Sequence, residues 1–238
     1  MNGFILAAGR GERLRPLTDH TPKPLIPVDG RPVIDHTLER LKRLSIARIV
    51  VNVWHLADQL ETHLRHHADW GTRVAISREE ELLETGGGVC RALPLLGTAP
   101  FLAINGDILW DFNLSPLLTS FHPPIMDALL LLVANPKGKH GDFILPGGSL
   151  GPLRRLATRD DNHPFTYSGI QVINPLALAH YPVTRFSLNR FYDDCIENNR
   201  LYGMHLAGTW SDIGTPDSLE EARGRWKFPL QTGADYGN

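Results

Sequence analysis

The chain has 238 residues, 42% of them hydrophobic and 21% charged, with a formal net charge of −2. That balance describes a globular chain with an ample core and excludes a disordered one. A net charge so close to zero gives no overall pull towards nucleic acid or an anionic membrane, so any anion site must be local.

Residues 3–8, GFILAA, are apolar throughout and end at Gly9, which predicts a buried first strand. A long loop follows, with Gly9 and Gly11 at its start and Pro16, Pro22, Pro24 and Pro27 along it. Val33, Ile34, Leu38 and Leu41 share one helical face over 33–44, with Pro32 at the start. RIVVNV (48–53) is rich in β-branched residues and predicts a strand. Leu56, Leu60 and Leu64 recur at helical spacing over 56–67. RVAIS (73–77) is a further strand. A helix is expected after the Gly86-Gly87-Gly88 run, carrying Val89, Leu93 and Leu96. FLAI (101–104) is a strand ending at Asn105-Gly106-Asp107, and DALLLLVA (127–134) is another. Residues 135–166 predict hairpins or loops. GIQVIN (169–174) and LYGMHL (201–206) predict strands, and SLEEARGRW (218–226) a closing helix.

Strands that alternate with helices imply an α/β fold: a Rossmann-like, doubly wound, mostly parallel sheet. Near-continuous apolar strands agree, because such strands are covered on both faces. No linker divides the chain, so residues 1–226 are expected as a single domain, with 227–238 a poorly ordered tail. Cys90 and Cys195 lie far apart and out of metal-ligand spacing, so both are expected as reduced core residues of a cytoplasmic protein. No apolar run nears the roughly 20 residues that cross a bilayer. The N-terminus lacks the features of a signal peptide.

In an open parallel sheet, ligands bind beyond the carboxyl ends of the strands. The loop after the first strand leaves at that edge. Gly9 and Gly11 let a ligand approach the backbone and leave N–H groups for phosphate oxygens. Arg13, Arg15 and Lys23 add positive charge for a polyanion. Pro22, Pro24 and Pro27 restrict the loop around Lys23. The string lacks the G-x-x-x-x-G-K-[ST] of a Walker A loop. It is not the dinucleotide G-x-G-x-x-G either, because Leu14 stands at the third position.

LAAGRGERLRPLTDHTPKPLIPV resembles instead the signature of the sugar nucleotidyltransferases, which join a nucleoside triphosphate to a sugar 1-phosphate and release pyrophosphate. The family pattern, roughly L-x-x-G-x-G-x-R-L-x-P-L-T-x-x-x-P-K-P, is met at every fixed position from Leu6 to Pro24. LETGGG (83–88), NGD (105–107) and WSDIGTP (210–216) fit the same family in order, so the resemblance spans most of residues 3–220. It implies a GT-A-like version of the doubly wound sheet.

The resemblance also implies roles. Asp107 and Asp212, each at a strand-to-turn junction, would hold Mg²⁺, a hard ion that takes few protein oxygens and keeps phosphate and water as its other ligands. Lys23 would bridge the attacking phosphate and the α-phosphate, and Arg13 would hold the β- and γ-phosphates. Main chain of Leu6, Ala7, Ala8 and Gly9, together with Gly11, would meet the nucleotide. Glu79, Glu84, Thr85 and Gly86 would complete that side. Glu79 stands five residues before Glu84, where several relatives carry a base-reading Gln. As an acceptor it suits the N3–H of uracil or the N1–H and N2–H₂ of guanine. Asn105, Tyr167 and Gly169 would meet the sugar phosphate.

LETGGG resembles the branch that takes UTP and N-acetylmuramate 1-phosphate in peptidoglycan recycling. Guanylyltransferases for heptose or mannose 1-phosphate and phosphocholine cytidylyltransferases remain as alternatives. So does a different class, a non-catalytic nucleotide-sugar sensor. The expected partners are a nucleoside triphosphate and a sugar 1-phosphate, with no nucleic acid and no membrane, and a homodimer is left open. His63, His66 and His67 share a helical face and are read as a solvated surface rather than a metal site.

Overall fold

Eight strands form the central sheet in this computed structural model, which describes residues 1–44, 46–66, 73–135, 141–156 and 164–227. They are β1 (Asn2–Leu6), β2 (Arg48–Val53), β3 (Arg73–Arg78), β4 (Phe101–Asn105), β5 (Ala128–Ala134), β6 (Leu150–Pro152), β7 (Phe165–Ile173) and β8 (Leu201–His205). Their order across the sheet is β6-β8-β5-β7-β4-β1-β2-β3. β3, β2, β1 and β4 run parallel, as do β8 and β5. β7 is inserted antiparallel between β4 and β5, and β6 is an antiparallel edge strand on β8. The helices are α1 (Val33–Arg43), α2 (Ala57–His66), α3 (Glu84–Leu96), α4 (Ser115–Ser120), α5 (Pro175–Leu178), α6 (Leu188–Glu197) and α7 (Pro216–Arg225).

Alternate residues of each strand enter opposite cores, since side chains along a strand point to opposite faces. Ile5, Ile49, Val51, Leu102 and Ile104 join Ile34, Leu38 and Leu60 on the side of α1 and α2. Phe4, Val50, Phe101 and Ala103 join Val89, Phe191 and Tyr192 on the side of α3 and α6. This two-sided burial is why the strands read as unbroken apolar runs.

A third cluster decides where the site sits. Leu14, Ile26 and Val28 from the loop after β1 pack with Leu109, Ile213, Leu219 and Trp226. Leu14 is 1% exposed, and burial of a leucine side chain contributes about 2 kcal/mol. The residue that breaks the dinucleotide pattern is therefore the anchor of the loop. The same cluster holds a short antiparallel ladder in which Trp210, Ser211 and Asp212 face Trp110, Leu109 and Ile108.

The first strand ends at Leu6, two residues before its predicted limit. α3 begins at Glu84, so Gly86, Gly87 and Gly88 lie inside the helix rather than ahead of it. α6 was not anticipated, although Leu188, Phe191, Tyr192 and Cys195 are its buried stripe and Ser187 caps it. β6 and the ladder of 108–110 with 210–212 were not anticipated either. Both cysteines are buried and unpaired. Of the tail 227–238, only Lys227 lies within the described residues. Among the described residues, no helix is long and apolar enough to cross a membrane.

Candidate active site

A cavity of about 220 Å³ opens at the carboxyl ends of β1 and β4. Its walls include Leu6, Ala7, Ala8, Gly9 and Gly11 from the first loop, and Lys23 and Pro24 further along it. Asn105, Gly106 and Asp107 line the opposite side, and Glu84 and Thr85 complete it. Residues drawn from three distant stretches of sequence thus meet in one place.

Several glycines there are required by contact. Gly11 has φ +65°, and a Cβ on it would lie 2.7 Å from Thr18 Cγ2. Thr18 in turn donates to the Gly11 carbonyl at 2.9 Å, which closes the loop on itself. Gly9 differs: a Cβ there would meet no protein atom within 4 Å, so what the glycine leaves clear is the cleft. The N–H groups of Gly9, Arg10 and Gly11 find no backbone acceptor among the described residues. Successive free N–H groups of this kind form a cradle for an anion.

Lys23 Nζ makes an ion pair with Asp107 Oδ2, and both side chains are largely buried. Asp107 is linked to the second aspartate through backbone: Ile213 N donates to the Asp107 carbonyl at 2.9 Å, and Asp212 faces Ile108 in the ladder. Gly214 completes the corner. A Cβ on Gly214 would lie 2.8 Å from Arg13 Nη2 and 3.5 Å from Asp212 Oδ2, so the arginine and the second aspartate share that spot. Arg13, Lys23, Asp107 and Asp212 are thereby brought together. Among the described residues no three metal-ligating side chains converge. Two carboxylates with room for phosphate and water still suit Mg²⁺, which uses one or two carboxylates and substrate phosphates. An ammonium group already seated on Asp107 indicates that this carboxylate attracts a cation.

Next to the cavity lies a second hollow of about 420 Å³, whose charged walls are Arg10, Glu12, Arg13, Lys23 and Arg185. Arg10 stacks over Trp54 at 4.9 Å, which holds it beside the loop. Arg185 is absent from the sequence expectations. No motif marks it, because it sits in an irregular segment before α6.

Glu79 is not at the cavity wall. It is 3% exposed and lies behind Asn52. Asn52 Nδ2 donates to Glu79 Oε1 at 2.7 Å, and Leu83 N donates to Glu79 Oε2 at 3.1 Å. Burial raises the pKa of this carboxyl, against the lowering by those two donors. Asn52 also accepts from Ala7 N at 2.7 Å, so Glu79 supports the wall through Asn52. Gly88 makes this possible, since a Cβ there would lie 2.7 Å from both Asn52 and Glu79.

Gly86 and Thr85 are also engaged internally. Gly86 N donates to the Phe186 carbonyl at 2.9 Å, and Thr85 Oγ1 accepts from Leu188 N at 2.9 Å. A Cβ on Gly87 would lie 2.1 Å from the Thr184 carbonyl. The glycine run of LETGGG therefore admits the backbone of residues 184–188. Glu84 lines the cavity at φ +58°, a left-handed conformation where glycine is the unstrained residue.

Of the three residues expected to meet the sugar phosphate, Asn105 and Gly169 lie together, and Tyr167 does not join them. Gly169 has φ +83° and sits at a break in the β7 register, where a Cβ would lie 2.8 Å from Asn105 Nδ2. Such bulges re-aim side chains beside functional sites. The Tyr167 ring stands edge-on to Tyr192 at 6.2 Å, within the core under α6. Burial pushes its hydroxyl pKa well up. Of the three histidines, His63 bonds Asp35 at 2.6 Å, and His67 lies outside the described residues.

The nucleotidyl transferase family profile matches residues 2–143. A curated N-acetylmuramate alpha-1-phosphate uridylyltransferase from Neisseria meningitidis serogroup B is 39% identical, over 95% of this chain and 100% of the relative. One of the same name from Caulobacter vibrioides is 35% identical, over 93% and 95%. The mannose-1-phosphate guanyltransferase beta-A of Xenopus laevis is 27% identical, over 91% of this chain and 62% of the relative. Among solved structures, HddC from Yersinia pseudotuberculosis complexed with GMP-PN superposes with a TM-score of 0.78 at 21% identity, covering 95% of this chain and 99% of that one.

Proposed function

Because the chain belongs to the nucleotidyl transferase family, we propose that it transfers a uridylyl group from UTP to N-acetylmuramate 1-phosphate, with Mg²⁺ held by Asp107 and Asp212. The observation that carries the transfer reading is the convergence of Lys23 on Asp107 and of Arg13 on Gly214 at the mouth of one cavity. The names of the 39% and 35% identical relatives support the choice of base and sugar.

A phosphate oxygen of the sugar 1-phosphate attacks the α-phosphorus, and the bond to the leaving pyrophosphate breaks. The nucleophile is already an anion, so no general base is needed. The protein's task is to position two polyanions and offset their charge. Lys23 serves the attacking phosphate and the α-phosphate. Arg13 and the N–H groups of Gly9 and Gly11 serve the β- and γ-phosphates. Asn105 and Gly169 face the sugar phosphate. Asp107 and Asp212 would hold Mg²⁺, whose charge would offset the negative charge developing on the transferred group.

The test is pyrophosphate release with Mg²⁺ across UTP, GTP, CTP and dTTP, each paired with N-acetylmuramate, mannose and heptose 1-phosphates and phosphocholine. Release confined to UTP with N-acetylmuramate 1-phosphate is the expected result. Release with GTP and mannose or heptose 1-phosphate would replace the substrate assignment. No release with any pair would turn the reading towards a sensor.

A further inference from the structure

We propose that Arg185 is an additional triphosphate-binding residue, held on Glu84 until the nucleotide's phosphates draw it across the cleft; this rests on the nucleotidyl-transfer reading above. The segment that carries it is built onto α3. Phe186 N donates to the Leu83 carbonyl at 3.1 Å, and the Phe186 carbonyl accepts from Gly86 N at 2.9 Å. The Phe186 ring lies against Gly86, where a Cβ would come within 2.3 Å, and stacks on Tyr181 at 5.5 Å. Leu188 N bonds Thr85 Oγ1. With residues on both sides tied down, Arg185 is delivered to the hollow that holds Arg13 and Lys23.

Only one guanidinium nitrogen is used there. Arg185 Nε donates to Glu84 Oε1 at 2.8 Å. Its two Nη groups have no hydrogen-bond partner among the described residues, and its side chain is 66% exposed. A guanidinium with an open planar fork beside two other cations suits a polyphosphate, which it can grip in a bidentate way. Lys23 is paired with Asp107 and Arg13 lies beside Asp212, and Glu84 offsets Arg185 in the same way while the phosphates are absent. Glu84 does so from a left-handed conformation that disfavours a side chain, at φ +58°. The negative charge of a triphosphate competes with one carboxylate and wins the arginine.

Calorimetric titration of UTP and UMP with Mg²⁺ tests this, repeated with GTP and GMP because phosphate contacts do not depend on the base. Arg185→Ala is expected to weaken triphosphate binding about tenfold, the loss of one charge-assisted contact, and to leave monophosphate binding unchanged. Arg185→Lys is expected to fall between. Glu84→Gln is expected to tighten triphosphate binding, and the double variant to behave as Arg185→Ala alone. Equal losses for triphosphate and monophosphate would overturn the proposal. So would tightening by Glu84→Gln that persists without Arg185, because the carboxylate would then act by plain repulsion. Failure of the parent reading looks different: wild type would bind triphosphate yet release no pyrophosphate with any partner.

Discussion

Lys23 and Asp107 are 84 positions apart in sequence, yet their side chains form an ion pair at the cavity mouth. The loop after β1 and the turn after β4 are adjacent because β1 and β4 are parallel neighbours. Asp107→Asn keeps the size and an acceptor for Lys23 while removing the charge a metal ion needs. Pyrophosphate release is expected to fall about 100-fold or more, the scale of losing one preorganised electrostatic group. The melting temperature should move little, because the amide oxygen still accepts from Lys23 and the side chain keeps its size. Steady-state kinetics beside a thermal melt check both halves. Unchanged turnover would reject the metal-holding role.

Two glycines near the C-terminus separate function from folding. A Cβ on Gly214 would lie 2.8 Å from Arg13 Nη2, whereas one on Gly224 would meet nothing within 4 Å. Gly214→Ala is expected to displace Arg13 and raise KM for the nucleotide. Gly224→Ala lies within α7 and is expected to add about 0.5–1 kcal/mol, because alanine loses less backbone freedom on folding. A nucleotide KM unaltered by Gly214→Ala would mean that Arg13 does not hold the phosphates.

The parallel core was legible because period and composition agree there. β2 matches its predicted limits, and β4 and β5 differ from theirs by one residue each. The antiparallel insertion of β7 left no local mark, since strand direction depends on partners far away in sequence. The signature residues from Leu6 to Pro24 led to the cavity because loop and strand end are contiguous. Glu79 and Tyr167 were assigned by offset, and an offset says nothing about which way a side chain turns. Both turn inward, Glu79 to Asn52 and Tyr167 to Tyr192. The glycines of LETGGG carried a packing requirement with residues 184–188 that no local pattern expresses.

The cysteines give a chemical readout of the core. Burial pushes Cys90 up to about 11 and Cys195 up to about 12. Thiolate is the reactive form, so both should resist iodoacetamide in the native protein at neutral pH and react once it is denatured. Mass spectrometry of timed samples measures this. Rapid native labelling of either would show that its face of α3 or α6 opens readily.

Asn52 ties two buried groups together, donating to Glu79 and accepting from Ala7 N. Asn52→Ala leaves the carboxylate short of a donor and the N–H short of an acceptor. Each orphaned group costs about 1–3 kcal/mol. The Glu79 pKa is already raised by burial, and loss of the amide raises it further. A carboxyl with a raised folded pKa contributes stability that is present below its unfolded value and lost as pH rises through the folded one. The deficit of Asn52→Ala against wild type should therefore be smaller at about pH 5 than near neutrality, because a carboxyl whose folded pKa is raised further gives up more stability as pH rises. Paired urea melts at the two pH values test it. A deficit that is the same at both would mean that losing the Asn52 amide does not shift the titration of Glu79.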